Sequence, residues 1–219
     1  MSRPWKTAKM FSREYYIHGV PVFVYGQEEP AVNIPAFCAL IEQIIPSAML
    51  KNVDVCYISD DPILDGRNAV YANSAIYMDI NEPTNEDLVE NFIHEVAHSL
   101  EVDQQAQIYD ESLCNEFRGK RRRLYHILKA EGYDQMPERM YDFIEYNEAF
   151  DHFLENTVGY PMLVSLTMGL FCSPYAATSV QEYFANGFEK YFTESPQYVK
   201  EISPVLYRRI VEIIGDNDD

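Results

Sequence analysis

The sequence predicts an α+β fold, in which a small, twisted, mixed β-sheet packs on one long helix and is followed by a helical C-terminal part. β-Branched and alternating segments occur in the first eighty residues, whereas helical periodicity dominates after residue 85. The 219 residues, 47% of them hydrophobic and 24% charged, are enough for one well-buried core. We therefore expect one compact unit.

The first elements are a hairpin, a helix and a strand. Residues 14–25 predict the hairpin, because two runs rich in valine, isoleucine and aromatic residues flank His18 and Gly19. Residues 34–45 have helical periodicity. Residues 53–58 are β-branched and alternating, which is typical of a strand.

The next segment, residues 69–80, alternates on both sides of Asn73 and Ser74. Its second half, residues 75–80, predicts a strand, which we place at the edge of the sheet. An edge strand in this position could pair with an extended peptide.

Helices fill the rest of the chain. Thr84 and Asp87 form a capping-box pattern, and the apolar positions that follow predict a helix over residues 85–101. Residues 215–219 form an acidic tail with no apolar content to pack. The further predicted helices are residues 114–129, 141–156, 180–193 and 196–214.

The charge balance argues against two classes of partner. Lys+Arg 17 against Asp+Glu 35 gives a net charge of -18, which repels phosphate backbones and anionic lipids, so we expect neither nucleic acid nor membrane binding. The one basic run, residues 120–123, lies in a helical pattern and predicts a solvated helix face without a function.

Four cysteines without CxxC spacing indicate free thiols in a reducing compartment. The N-terminus has no apolar stretch of signal-peptide length, and the longest apolar run is too short to span a bilayer. We expect the protein in the cytoplasm or within a viral particle.

The strongest motif is HEVAH, which places His94 and His98 four residues apart. In a helix these two imidazoles lie on one face, about 6 Å apart along the axis, and can chelate one metal ion. Glu95 projects about 100° away from His94, where its carboxylate can accept a proton from a metal-bound water. The motif predicts a catalytic zinc site.

Such a site needs a third protein ligand and an open position for water. A metzincin would require Gly at position 101 and His at position 104, but the chain has Glu101 and Gln104. A carboxylate from a later helix is the natural candidate, and Glu182 lies near the start of one. On the residues alone, a solvent-facing Glu182 remains the alternative.

HEVAH and the later segment EYFA together resemble the catalytic domain of anthrax lethal factor and the bacterial Pro-Pro endopeptidases. In that family, a Tyr follows the HExxH helix and the ligand Glu of an E-F/Y-F-A motif comes seven residues after this Tyr. Here Tyr175 and Glu182 have that spacing. The resemblance covers residues 53–214, whereas residues 1–52 match nothing in the family.

The chain departs from the family pattern at two positions. Asn186 stands where lethal factor has a second Glu, and Glu101 stands where an Asp is usual. Neither change removes a proposed ligand. Glu101 falls on the helix face of His94 and His98 and could hydrogen-bond a ligand imidazole, although an ordinary surface carboxylate is the alternative.

The resemblance implies a zincin-like metallopeptidase domain at residues 53–214, preceded by an N-terminal extension or lobe at residues 1–52. It implies that Glu95 activates the attacking water and that Tyr175 donates a hydrogen bond to the oxyanion. The implied ligands of one Zn²⁺ per chain are His94, His98 and Glu182.

The expected function is therefore zinc-dependent hydrolysis of peptide bonds, with a polypeptide as substrate. A second function remains open, because fold does not fix function and no secretion signal is present. The chain could keep a metallopeptidase fold as a structural or interaction component of a larger assembly, such as a phage virion, with protein partners there.

Overall fold

The computed structural model describes residues 11–26 and 29–217. Contacts divide the chain into two compact units, Met1–Ser99 and Leu100–Asp219, where the sequence predicts one. The boundary falls inside one continuous helix, and the predicted domain boundary at residue 53 lies within the first unit. No helix in the described part of the chain is both long and apolar enough to cross a membrane.

The first unit contains a mixed sheet of five strands in the order β1-β2-β3-β5-β4. Strands β2, β3 and β5 are parallel, and β1 and β4 are antiparallel to their neighbours at the two edges. This confirms the α+β class and the mixed sheet. The strands are β1 Phe11–Ile17, β2 Val20–Gly26, β3 Val55–Ser59, β4 Ala69–Ala72 and β5 Ala75–Asp79.

Two tight turns set the strand pairing. His18 and Gly19 have φ values of 50° and 87°, and Asn73 and Ser74 have 52° and 60°. Positive φ at both central residues is the geometry of a type I′ hairpin turn, whose twist matches that of paired strands. The predicted hairpin around His18 is confirmed, and the second turn makes residues 69–79 a hairpin as well.

The predicted edge position of residues 75–80 is wrong. β5 lies between β3 and β4, and β4 occupies the edge. The physical reason is the turn at Asn73 and Ser74, which folds β4 back along β5 and pairs Val70 with Tyr77. The backbone groups at this edge therefore belong to β4.

One face of the sheet is apolar and fully buried, as period-two alternation requires. Helix α1, Ile34–Ile44, begins after Asn33, whose side chain accepts a hydrogen bond from the Ala36 amide. Its Phe37 meets Phe92 edge to face at 5.6 Å. The buried sheet residues are Val22, Val24, Cys56, Ile58, Ile76 and Met78.

The motif helix, α2, spans Asn85–Ile108 and is longer than the predicted 85–101. The Thr84 hydroxyl oxygen accepts a hydrogen bond from the Asp87 amide, so the predicted cap is present. No Gly or Pro interrupts residues 102–108, and the helix ends where Asp110 caps the next one.

The second unit is helical, which confirms the predicted C-terminal part. Only the 180–193 prediction has both ends right, and Pro204 divides the predicted 196–214 helix. Within the predicted 141–156 helix, only residues 148–152 are α-helical, residues 142–147 are irregular and residues 153–156 are π-helical. Residues 215–217 are helical, and residues 218–219 lie outside the described part. The helices are α3 Glu111–Ala130, α4 Glu148–His152, α5 Tyr160–Leu166, α6 Val180–Thr193, α7 Pro196–Ile202 and α8 Pro204–Asn217.

The sequence predicts that the basic run on α3, residues 120–123, is a solvated helix face. This prediction is wrong for two of the four residues. Arg122 and Arg123 are exposed, whereas Lys120 and Arg121 are 8% and 1% exposed. Helical geometry separates neighbouring residues by about 100°, which turns Lys120 and Arg121 toward the core and their neighbours toward solvent. Their long side chains reach backbone carbonyls inside the unit.

At Gly187, α6 packs closely on α8. A Cβ at this position would lie 2.2 Å from Leu206 Cδ2 and 3.0 Å from its Cγ, and Leu206 is fully buried. We expect Gly187→Ala to destabilise the protein by about 1–3 kcal/mol through overpacking, measured by denaturant unfolding.

Gly119→Ala is the matched control, because this helical glycine is exposed and nothing lies within 4 Å of an added Cβ. Alanine there should be neutral or stabilising by about 0.5–1 kcal/mol. Equal effects of the two substitutions would contradict the close packing of α6 on α8.

Candidate metal centre

The two motif histidines meet on one face of α2. His94 Nε2 and His98 Nε2 lie 3.2 Å apart, and the ring centroids are 5.0 Å apart. Two nitrogen ligands about 2.1 Å from a tetrahedral zinc ion lie about 3.4 Å from each other. The two imidazoles thus present their Nε2 atoms at a separation that suits one metal ion.

Glu182 is held at the start of α6. The Ser179 hydroxyl caps this helix and accepts a hydrogen bond from the Glu182 amide at 3.1 Å, which places Glu182 in the first turn. The Asn186 side chain donates to the Glu182 carbonyl at 2.8 Å. Both contacts fix the backbone from which the Glu182 carboxylate projects.

These three side chains form a potential metal-binding group. One ligand atom from each of His94, His98 and Glu182 lies within 4.8 Å of the other two, and all three residues are partly buried. Among the described residues, no other set of His, Cys, Asp and Glu side chains has this arrangement. Two imidazoles and a carboxylate could hold a metal ion, as the sequence predicts.

Glu95 lies next to these ligands but contacts the sheet. Its side chain is 8% exposed, and its Oε2 atom accepts a hydrogen bond from the Tyr71 amide at 2.6 Å. In the register of the β4–β5 hairpin, the Tyr71 amide points away from β5, toward the free edge of the sheet. The carboxylate is therefore positioned by the edge strand.

Tyr71 and Asn52 extend this contact. The sequence did not predict a role at the site for either residue. The Tyr71 hydroxyl donates to the Asn52 carbonyl at 2.9 Å, and the Asn52 side chain donates to the Ser99 carbonyl at 2.9 Å. This chain of bonds ties β4 to α2 beside Glu95. The Glu95 contact uses a backbone amide, so no residue pattern could have revealed it.

Tyr175 occupies a 3₁₀ turn, Tyr175–Ala177, directly before α6. Its side chain is 39% exposed. Burial of its hydroxyl, followed by the nearby charge of Glu182, raises the pKa of Tyr175 well above its usual range. The hydroxyl keeps its proton at neutral pH and is a hydrogen-bond donor.

Glu101 is partly buried, and its predicted bond to a ligand imidazole remains a prediction. Its carboxylate affects Tyr109. Burial of Tyr109, together with the charges of Glu101 and Glu182, raises the pKa of that phenol far above its usual range. Tyr109 is therefore a neutral group close to both carboxylates.

No family model, no curated protein and no solved structure matches this chain. The resemblance to lethal factor and the Pro-Pro endopeptidases therefore stays a prediction that rests on the motif residues.

Proposed function

We propose that the protein is a zinc-dependent metallopeptidase with a zincin-like, lethal-factor-like catalytic domain that cleaves polypeptides. One observation supports this most strongly: a His-x-x-x-His pair and a distant glutamate lie together as a potential ligand group. Catalytic zinc sites commonly have two imidazoles and one carboxylate and keep a further position open.

The donor set favours zinc over harder cations. Imidazole nitrogen is a good ligand for zinc, whereas calcium and magnesium prefer sites built from oxygen atoms alone. When bound, zinc would polarise the peptide carbonyl and lower the pKa of water to about 7. His94, His98 and Glu182 are the residues that would hold it.

Glu95 and Tyr175 supply the remaining chemistry in this proposal. The Glu95 carboxylate accepts a proton from the attacking water and passes it to the leaving amine nitrogen. The Tyr175 hydroxyl donates a hydrogen bond to the carbonyl oxygen as negative charge develops there. The exposure of Tyr175 leaves its side chain accessible to a substrate.

We expect the purified protein to contain one zinc ion per chain, because three ligands of these types make a tight, open site. Elemental analysis of protein prepared without chelator measures this directly. Chelation should remove the metal, and added zinc should restore it. A chain that stays metal-free after zinc reconstitution would overturn the proposal.

A peptide-library cleavage profile of the zinc-loaded protein, with and without chelator, tests the activity. Cleavage that chelator abolishes and zinc restores is the expected result. A zinc-loaded chain that cleaves no peptide, but is a stoichiometric component of a purified particle, would instead favour a structural or interaction role in a larger assembly.

A further inference from the structure

Arg121 is a fully buried cation bound to backbone carbonyls. Its side chain is 1% exposed, and its Nη1 atom donates to the carbonyls of Ala177 at 2.9 Å and Thr178 at 3.1 Å. Its Nη2 atom donates to the Met140 carbonyl at 2.6 Å. Its guanidinium carbon lies 3.8 Å from the centre of the Phe150 ring.

Burying a charged guanidinium has a large desolvation cost, which offsets much of the stability that its contacts contribute. Burial lowers the pKa of Arg121 only to about 10, so the guanidinium is charged at neutral pH. Within the described residues, its Nε atom is buried without a hydrogen-bond partner. A buried charge with incomplete hydrogen bonding contributes little net stability, and its best-attested use is to specify one geometry.

The backbone that the Arg121 Nη1 atom binds lies between Tyr175 and Glu182, the two proposed site residues of this unit. Ala177 ends the 3₁₀ turn that begins at Tyr175, and Thr178 precedes the Ser179 cap that binds the Glu182 amide. The Thr178 hydroxyl also donates to the Tyr175 carbonyl at 2.8 Å. Arg121 therefore binds the middle of the segment from Tyr175 to Glu182.

Asn186 holds the same segment at its two ends. Its Oδ1 atom accepts a hydrogen bond from the Ser173 hydroxyl, and its Nδ2 atom donates to the Glu182 carbonyl. The Ser173 hydroxyl oxygen in turn accepts from the Ala176 amide at 3.2 Å. Asn186 thus fixes the segment near its ends, whereas its middle is held by Arg121 and by the Ile144 carbonyl, which accepts a hydrogen bond from the Val180 amide at 2.7 Å.

We propose that Arg121 is a positioning residue, whose guanidinium fork fixes the Tyr175 hydroxyl relative to the Glu182 carboxylate. This inference rests on the proposed function and deepens it. Arg121 does not touch the reacting atoms and acts through the backbone of residues 177 and 178. Lysine should not replace it, because an ammonium donates from a single nitrogen, whereas the guanidinium fork reaches residues 177 and 178 from Nη1 and the Met140 carbonyl from Nη2.

Lys120 provides a matched control on the same helix. It is also a buried cation, 8% exposed, and its Nζ atom donates to the Leu170 carbonyl at 2.6 Å, the Ile202 carbonyl at 2.8 Å and the Ser203 hydroxyl at 2.7 Å. None of these acceptors belongs to the segment from Tyr175 to Glu182. Lys120→Met removes a comparable buried charge without releasing that segment.

The experiment compares Arg121→Lys and Arg121→Met with Lys120→Met in the full-length, zinc-loaded chain. Misplacing a catalytic group by about 1 Å can cost a hundredfold in rate, so we expect both Arg121 variants to lose about ten- to a hundredfold in kcat. Zinc content should not change, and KM should change much less than kcat. Lys120→Met should lower Tm but keep a kcat close to wild type.

Hydrogen exchange provides a readout that does not depend on activity. We expect the amides of residues 177–182 to exchange faster in Arg121→Lys than in wild type, with α8 unchanged, and Lys120→Met to leave residues 177–182 unchanged. If wild type cleaves no peptide, the proposed function fails, and the exchange comparison still decides whether Arg121 fixes this segment.

Three outcomes would overturn the inference. In the first, a folded Arg121→Lys keeps wild-type kcat and exchange. In the second, Lys120→Met loses as much kcat as Arg121→Lys. In the third, both Arg121 variants fail to fold while Lys120→Met folds, which would make Arg121 a residue for stability.

Discussion

Replacing Glu95 with glutamine is expected to lower kcat by about two to four orders of magnitude, because the amide cannot accept the proton of the attacking water. The substitution keeps the shape of the side chain, and its amide oxygen can still accept the hydrogen bond from the Tyr71 amide. Zinc content should stay at the wild-type level. Steady-state cleavage of a peptide found in the library profile, together with elemental analysis, measures both effects.

Glu86→Gln is the control, since Glu86 lies on the same helix and is exposed. Glu86→Gln also removes one negative charge from this helix, but it should leave kcat and zinc content unchanged. If Glu95→Gln cleaves the peptide as fast as wild type, Glu95 is not the general base, although the metal-ligand assignment would survive.

Glu182→Ala should weaken zinc binding, because it removes the one proposed carboxylate ligand and leaves two imidazoles to hold the ion. Activity should fall with zinc content and recover only in part at high zinc concentration. Metal competition with a chromogenic chelator measures the change in affinity.

Tyr175→Phe distinguishes the role proposed for Tyr175, which is binding the oxyanion, from the role proposed for Glu182, which is binding zinc. The variant should keep zinc and fold but lose about ten- to a thousandfold in kcat, because the hydroxyl acts on charge that develops only in the transition state. Its aromatic ring, which is part exposed, is retained. Zinc loss in Tyr175→Phe, or full zinc retention in Glu182→Ala, would contradict the assignment of these residues.

The sequence by itself determined the local features of this protein. HEVAH places two imidazoles on one helix face because a helix repeats every 3.6 residues, and the structure has both Nε2 atoms side by side. The predicted cap at Thr84 is present, and α6 begins and ends where its pattern predicts. These features depend on residues within a few positions of each other, so periodicity and capping are enough to predict them.

Only the tertiary structure decided which distant groups meet. It brings a Glu182 ligand atom near the two imidazoles. The sequence pattern alone was also compatible with a Glu182 side chain that faces solvent. It places β4, instead of β5, at the sheet edge beside Glu95, and it buries Arg121 but exposes Arg122. Such features depend on backbone groups and on neighbours far away in the chain, and these leave no periodic signal in the residues themselves.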